Sequence, residues 1–239
     1  MPTVSIASSD RVFVLTGAGI SAESGLPTFR ASDGLWAGYR IEDVCTPEAL
    51  ASNPAEVWAF YSARRQGAFA AKPNAGHAAL AELEQKLGDR YFLCTQNVDD
   101  LHERAGSMRL VHMHGELSKS RCSQQCGAPP VEDRRIYKSL DEVGRCVCGA
   151  RLRPHIVFFG EIPLDMPRIE RELRQATLML VIGTSGSVYP AAGLAQMARF
   201  AGARTVYIGP EPPLNASVFT QSVTGNAAEV LPGLFNVQS

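Results

Sequence analysis

Short apolar runs punctuate this chain, and longer mixed stretches separate them. Val12–Leu15, Tyr91–Thr95, Leu110–Met113, His155–Phe159, Leu178–Ile182 and Thr205–Ile208 are too brief for helices and lack polar alternation. Such runs read as strands covered on both faces. Helix signals fill most of the intervals. Thr46-Pro47 and Asn53-Pro54 each place an N-cap residue before a proline at the first helical position. A further helix covers about residues 75–87 and stops at Gly88; another covers about 167–175, with Asp165 placed to cap it; a third opens at Pro190. Alternating strands and helices predict an α/β fold, a Rossmann-like doubly wound parallel sheet.

Two stretches break the rhythm. Residues 31–89 are mostly helical, and residues 117–154 hold four of the six cysteines with little periodic apolar content. The second has too little core to fold unaided, so a metal would supply the missing constraint. The expected division is a large domain from about 1–30, 90–116 and 155–239. The remainder is the two insertions, helical at about 31–89 and zinc-binding at about 117–154.

Chemistry gathers where strands end. The first run leads into Gly17-Ala18-Gly19-Ile20-Ser21-Ala22. Gly17 permits a tight turn, Gly19 lets backbone approach a pyrophosphate, and Ala22 allows close helix packing, with helix-start amides facing phosphate oxygens. Pro27 then stops the helix early, and Thr28-Phe29-Arg30 begins a loop. Later strand ends carry Gln96-Asn97-Val98-Asp99, His114-Gly115-Glu116 and Gly183-Thr184-Ser185. From residue types alone, Asn97–Asp99 also reads as a helix cap, and His114 as a packing histidine that shares a strand face with His112.

Composition narrows the partners. In 239 residues, 23 Lys plus Arg nearly balance 24 Asp plus Glu, for a formal net charge of −1. That argues against a general nucleic-acid surface or a membrane-surface protein. No apolar run approaches the ~20 residues needed to span a bilayer. Residues 1–5 hold neither basic residues nor a signal-type core, so a soluble, cytoplasmic protein is expected, and a monomer. Clustered cysteines in a reducing compartment favour a metal over disulfides, which makes Cys122, Cys126, Cys146 and Cys148 candidate thiolate ligands of a tetrahedral zinc.

Taken in order from about residue 11 to 234, the four strand-end blocks resemble the sirtuins, the NAD-dependent protein-lysine deacylases. The resemblance implies that the insertions at about 31–89 and 117–154 form one smaller inserted domain, with NAD in the cleft between it and the large one. Gly17, Ala18, Gly19, Ala22, Phe29, Arg30, Gln96, Asn97, Val98, Asp99, Gly183, Thr184 and Ser185 would line it. Asn97 would position the ribose or a water, Asp99 would bond the carboxamide, and Phe29 would cover the reacting ribose. The family's adenosine-holding asparagine is missing after Tyr207-Ile208; Glu211 is placed to reach a ribose hydroxyl instead, and Ala227 lies beside the adenine. Gly115-Glu116 marks His114, rather than His112, as the general base, with Asn97 as its catalytic neighbour. The implied reaction starts with attack of the acyl-lysine oxygen on the nicotinamide ribose and ends in nicotinamide, O-acyl-ADP-ribose and free lysine.

The same resemblance implies a structural zinc held by two cysteine pairs. Spacings of three and one residues within the pairs depart from the family's usual two. It also implies a subclass. Tyr61 and Arg64, three apart on one helix, match the acyl-reading pair of class III sirtuins, the branch of the bacterial CobB type. An arginine fork and a phenol suit the terminal carboxylate of a succinyl or malonyl chain, which is costly to bury unpaired. Cys45 stands where that branch often has alanine, and Val157 and Phe158 match the segment lining the lysine tunnel. Acyl-lysine-bearing proteins are therefore the expected substrates. A mono-ADP-ribosyltransferase and a catalytically silent NAD-binding module are the alternatives.

Overall fold

Side chains alternate cleanly across the central strands, and each face has its own core. The computed structural model describes residues 3–28, 35–36, 38–186, 189–213 and 215–238. Six parallel strands form the main sheet: β1 (Val12–Thr16), β2 (Tyr91–Thr95), β3 (Leu110–His112), β4 (Leu178–Ile182), β5 (Arg204–Gly209) and β6 (Gln221–Thr224). Their spatial order is β6-β5-β4-β1-β2-β3. Four longer helices are α1 (Pro54–Ala70), α2 (Ala75–Leu87), α3 (Met166–Gln175) and α4 (Ala191–Phe200). Val12, Val14, Leu178 and Leu180 face one way, onto Leu80, Leu83 and Leu87 of α2. Phe13, Leu15, Met179 and Val181 face the other, onto Ile169 and Leu173 of α3 and Leu194 of α4. Period-two alternation on strands covered on both sides explains why the sequence shows unbroken apolar runs.

Of the first insertion, α2 covers one face of this sheet, whereas α1 packs with the segment that holds Leu117 and Ile156. Thr46 Oγ1 accepts the Ala49 amide at 3.1 Å, and Asn53 Oδ1 accepts the Glu56 amide at 3.4 Å, so both expected caps form. α2 ends at Gly88, in the left-handed region at φ +55°. Asp165 precedes α3, yet its side chain caps nothing; its backbone carbonyl accepts from Ile169 instead.

One strand lies elsewhere than expected. The apolar run around 155–159 belongs to a strand at Leu152–Ile156 that pairs antiparallel with Gly115–Cys122, not with the main sheet. Val131–Glu132 completes this three-stranded sheet. Ile156 and Leu117 pack with Val57 and Phe60 of α1, which covers the run as fully as a central position would. Conversely, β6 is an edge strand whose burial rests on Val223, so it carries no apolar signal.

Candidate active site

The direction of chain progression reverses between β1 and β4, the place where open α/β sheets bind ligands beyond their C-terminal strand ends. A cleft of about 980 Å³ occupies this position. It is lined from β5 by Glu211, from β4 by Gly183, Thr184 and Ser185, and from β1 by Gly17, Ala18, Gly19 and Ala22. Gln96, Asn97, Val98 and Asp99 follow from β2, and His114 from β3. Because strands sit about 4.8 Å apart, this order spreads the polar loops along a groove of roughly 20 Å. Ala227 lines it too, as do Tyr61, Arg64, Val157 and Phe158. The cleft therefore gathers the cofactor and substrate residues expected from the sequence, apart from Phe29 and Arg30, which lie outside the described residues.

At the β1 end the glycines serve packing more than anion binding. The Gly19 amide donates to Gly183 O at 2.8 Å and the Gly17 amide to Ile182 O at 3.0 Å, so neither faces a ligand. A Cβ on Gly19 would stand 2.7 Å from Gly183 Cα, and Gly183 itself takes φ +62°. The two loops meet backbone to backbone, and side chains there would force them apart. The following turns, Ala18–Ser24, are a 3₁₀ helix, and Ala22 is exposed on the cleft wall instead of packed against a neighbour.

Beneath the cleft floor lies a polar cluster whose hub, Ser21, carries no signal in the sequence. His77 Nδ1 accepts the Asn74 amide at 3.3 Å, so its Nε2 bears the proton and donates to Ser21 Oγ at 3.4 Å. Asn97 Nδ2 donates to the same oxygen at 3.0 Å, and Ser21 donates onward to Asp99 Oδ2 at 3.2 Å. Asp99 Oδ1 also accepts the Leu101 amide at 3.2 Å, so the same carboxylate holds the turn before the Leu101–Arg104 helix and faces the cleft. Burial raises the Asp99 pKa, opposed by these bonds. His102, fully buried, contacts Thr16 Oγ1 at 3.0 Å, and burial holds its pKa well below 6.5.

His114 is set up differently. Its Nδ1 lies 3.1 Å from Gln96 O, and a carbonyl only accepts, so Nδ1 carries the proton and Nε2 keeps a lone pair. Burial lowers its pKa from 6.5, partly offset by the Gln96 bond, which keeps the ring neutral at physiological pH. Gly115 fixes its place: at φ +87°, any Cβ would come within 2.0 Å of His155 O. Only glycine lets the chain turn directly from His114 into the neighbouring sheet.

On the wall formed by α1, Tyr61 is fully buried and stacks on Phe158 with centroids 5.8 Å apart. Its hydroxyl donates to Cys45 Sγ at 3.5 Å. Arg64 lies one helical turn on, its guanidinium 5.7 Å from the Phe60 ring. Burial lowers its pKa to about 10, against the pull of Tyr61, Cys45 and Asp99, so it stays cationic at neutral pH. The adjacent Arg65 does unrelated work. Fully buried, it pairs with Asp133 at 3.3 Å and donates to the Arg135 and Lys119 carbonyls and to Ser120 Oγ, tying α1 to the cysteine-bearing segment.

The cysteines converge. Cys122 and Cys148 Sγ are 3.5 Å apart, as are Cys126 and Cys146, and all four sulfurs lie within 4.8 Å of one another. Tetrahedral zinc with Zn–S of about 2.3 Å implies S···S separations of about 3.8 Å, so the donor set fits. The irregular spacing is absorbed locally, with Gln125 in the left-handed region at φ +50°.

Comparison with known proteins agrees with this geometry. The Sir2 family pattern matches residues 17–190. A protein of Caulobacter vibrioides named NAD-dependent protein deacylase is 53% identical over 225 residues, covering 93% of this chain and 94% of its own. One of the same name from Salmonella typhimurium is 52% identical over 224 residues, covering 93% of this chain and 81% of its own. Among solved structures, a mutant Sir2 homologue in complex with ADP-ribose superposes with a TM-score of 0.87 at 40% identity, covering 95% of this chain and 91% of that one. With a family pattern across most of its length and relatives above half identity, the chain belongs to the Sir2 family.

Proposed function

We propose that this protein is an NAD-dependent protein-lysine deacylase that accepts succinyl- and malonyl-lysine as well as acetyl-lysine. The observation that carries the reading is the shared cleft, in which a neutral histidine and a half-buried cationic arginine line one cavity. NAD would supply an electrophilic ribose carbon, a nicotinamide leaving group and the hydroxyl that takes the acyl group. On this reading the loops of β5 and β4 would meet the adenosine side, those of β1 the middle, and Asn97, Asp99 and His114 the nicotinamide ribose, an order that the strand sequence along the cleft supports.

The chain's own groups then divide the labour. Asn97 and Asp99, held at Ser21, present an amide and a carboxylate to the nicotinamide end. His114 Nε2 takes a ribose hydroxyl proton, a task suited to a base near neutral pKa. Val157, whose amide is held by His114 O at 2.9 Å, and Phe158 form the wall past which the lysine chain reaches the reacting centre. Arg64 offers two parallel donors to the distal carboxylate of a dicarboxylic acyl group, and Tyr61 adds its hydroxyl by leaving Cys45. The expected products are nicotinamide, O-acyl-ADP-ribose and free lysine.

The test is a matched pair of succinyl- and acetyl-lysine peptides incubated with the protein, with and without NAD, and followed by mass. NAD-dependent loss of succinyl faster than acetyl supports the whole reading. Loss of acetyl alone keeps the deacylase and removes the carboxylate-reading role of Arg64. ADP-ribose added to peptide or protein, with both acyl groups intact, would replace it with a transferase.

A further inference from the structure

Two histidines at the end of β3, separated by Met113, are held in opposite protonation states by their partners. His112 Nδ1 lies 2.9 Å from Asn97 O, an acceptor only, so that nitrogen carries a proton. His112 Nε2 lies 2.7 Å from Glu103 Oε1, the length of a charge-assisted bond, which places a second proton on the ring. The ring is buried, while the Glu103 carboxylate reaches toward solvent. Other charged or titratable groups around it agree with a cation. Glu116, from the strand after His114, shares a cluster with His112 and Glu103 and is itself held by Lys119 at 2.8 Å. Asp99 adds a negative field from the β2 loop, and His102 on the following helix is neutral. Despite burial, the Glu103 bond and charge raise the affinity of His112 for its proton.

We propose that His112 and Glu103 form a positioning pair for the Asn97–Asp99 segment: the Nδ1–H fixes the Asn97 carbonyl, and through it the two side chains that converge on Ser21. The inference rests on reading Asn97 and Asp99 as cofactor contacts. It adds a direction with pH. When the ring loses one proton, the charged carboxylate keeps the one on Nε2 and the weaker carbonyl acceptor loses its donor. Asn97 is then released, and cofactor affinity falls as pH rises, while His114 limits the acid side.

The test is KM for NAD against kcat for the full chain from pH 6 to 10, using an acyl-lysine peptide. His112→Asn keeps a donor near the Nδ1 position, whereas His112→Gln keeps one near Nε2. His112→Gln is expected to raise KM about tenfold at neutral pH with a smaller change in kcat. His112→Asn should stay within about threefold of the parent and lose the alkaline rise in KM. Glu103→Gln, at the solvent-facing partner, should also lose that rise, because the glutamine amide can donate to Nε2 and leave the proton on Nδ1. Equal KM changes in the two His112 variants, with equal falls in melting temperature, would reduce the pair to a structural ion pair. So would an alkaline rise that persists in Glu103→Gln. Asn97→Ala separates the two levels: unchanged KM there removes the cofactor reading and this inference together. A raised KM there with none in His112→Gln removes the inference alone.

Discussion

Ser21 Oγ donates to Asp99 Oδ2 at 3.2 Å while accepting from Asn97 and His77, so one hydroxyl uses its full hydrogen-bonding capacity beneath the cleft floor. Replacing it leaves three buried groups short of a partner. Ser21→Ala is expected to weaken NAD binding by about 1–3 kcal/mol, the cost of such orphaned groups. Titration calorimetry with NAD checks this; unchanged affinity would make the cluster a folding device only.

His114 should govern the acid side of the pH profile. Its pKa lies below the ordinary 6.5, so the ring is a competent base at neutrality and loses that role as pH falls through the lowered value. kcat should therefore be level around neutral pH and fall only on the acid side of the ordinary histidine range. His114→Gln should abolish turnover while retaining NAD binding by calorimetry. Turnover at the parental rate would assign the base elsewhere.

Arg64 should read the acyl terminus. Arg64→Met keeps the length of the side chain and deletes the fork, so kcat/KM for succinyl-lysine should fall about 10- to 100-fold, the worth of a charged hydrogen-bonding pair. Deacetylation should change far less. Equal losses with both peptides would make Arg64 a packing residue of α1.

Zinc removal should loosen the segment between residues 117 and 154. Its apolar support is small, chiefly Trp58, Tyr137, Val143 and Leu152, so a zinc on the four cysteines would supply much of its folding energy. A strong chelator, or Cys146→Ser, is expected to lower the melting temperature and raise amide exchange there first. Metal analysis of the purified protein should return one zinc per chain.

Arg65 and Asp133 should set an acid limit on stability. Burial pushes the Asp133 carboxyl up, but bonds from Ser120, Arg135 and Tyr137 and the Arg65 charge outweigh it and hold the pKa at about 2 instead of 3.8. A lowered carboxyl pKa stabilises above the unfolded value and loses that contribution as pH falls from about 4 to 2. Arg65→Ala should cost about 3 kcal/mol, because it removes one of the two cations at Asp133, where Arg135 remains, and leaves the Lys119 and Arg135 carbonyls without their donor. Urea unfolding at pH 7 and pH 3 measures both effects.

Much of this architecture follows from local pattern. Val12–Leu15 and Leu178–Ile182 are apolar on both faces, and Thr46, Asn53 and Gly88 bound their helices with local hydrogen bonds or backbone freedom, so sequence alone determines them. Strand-end motifs such as Asn97–Asp99 and His114-Gly115 stand out through their resemblance to a family pattern, because residue types alone read equally as a helix cap and a packing histidine. Neighbourhood across the chain was decided only by tertiary structure. The run at 155–159 looks like a central strand because burial on both faces has one appearance, whichever sheet provides it. β6 stayed hidden because an edge strand needs little apolar content. Arg64 and Arg65 are adjacent and alike in sequence. A 100° step around α1 sends one into the cleft and the other onto Asp133. Ser21, His112 and Glu103 gain their roles from partners 9 to 78 positions away, and a hydrogen bond at that range leaves no trace in local composition.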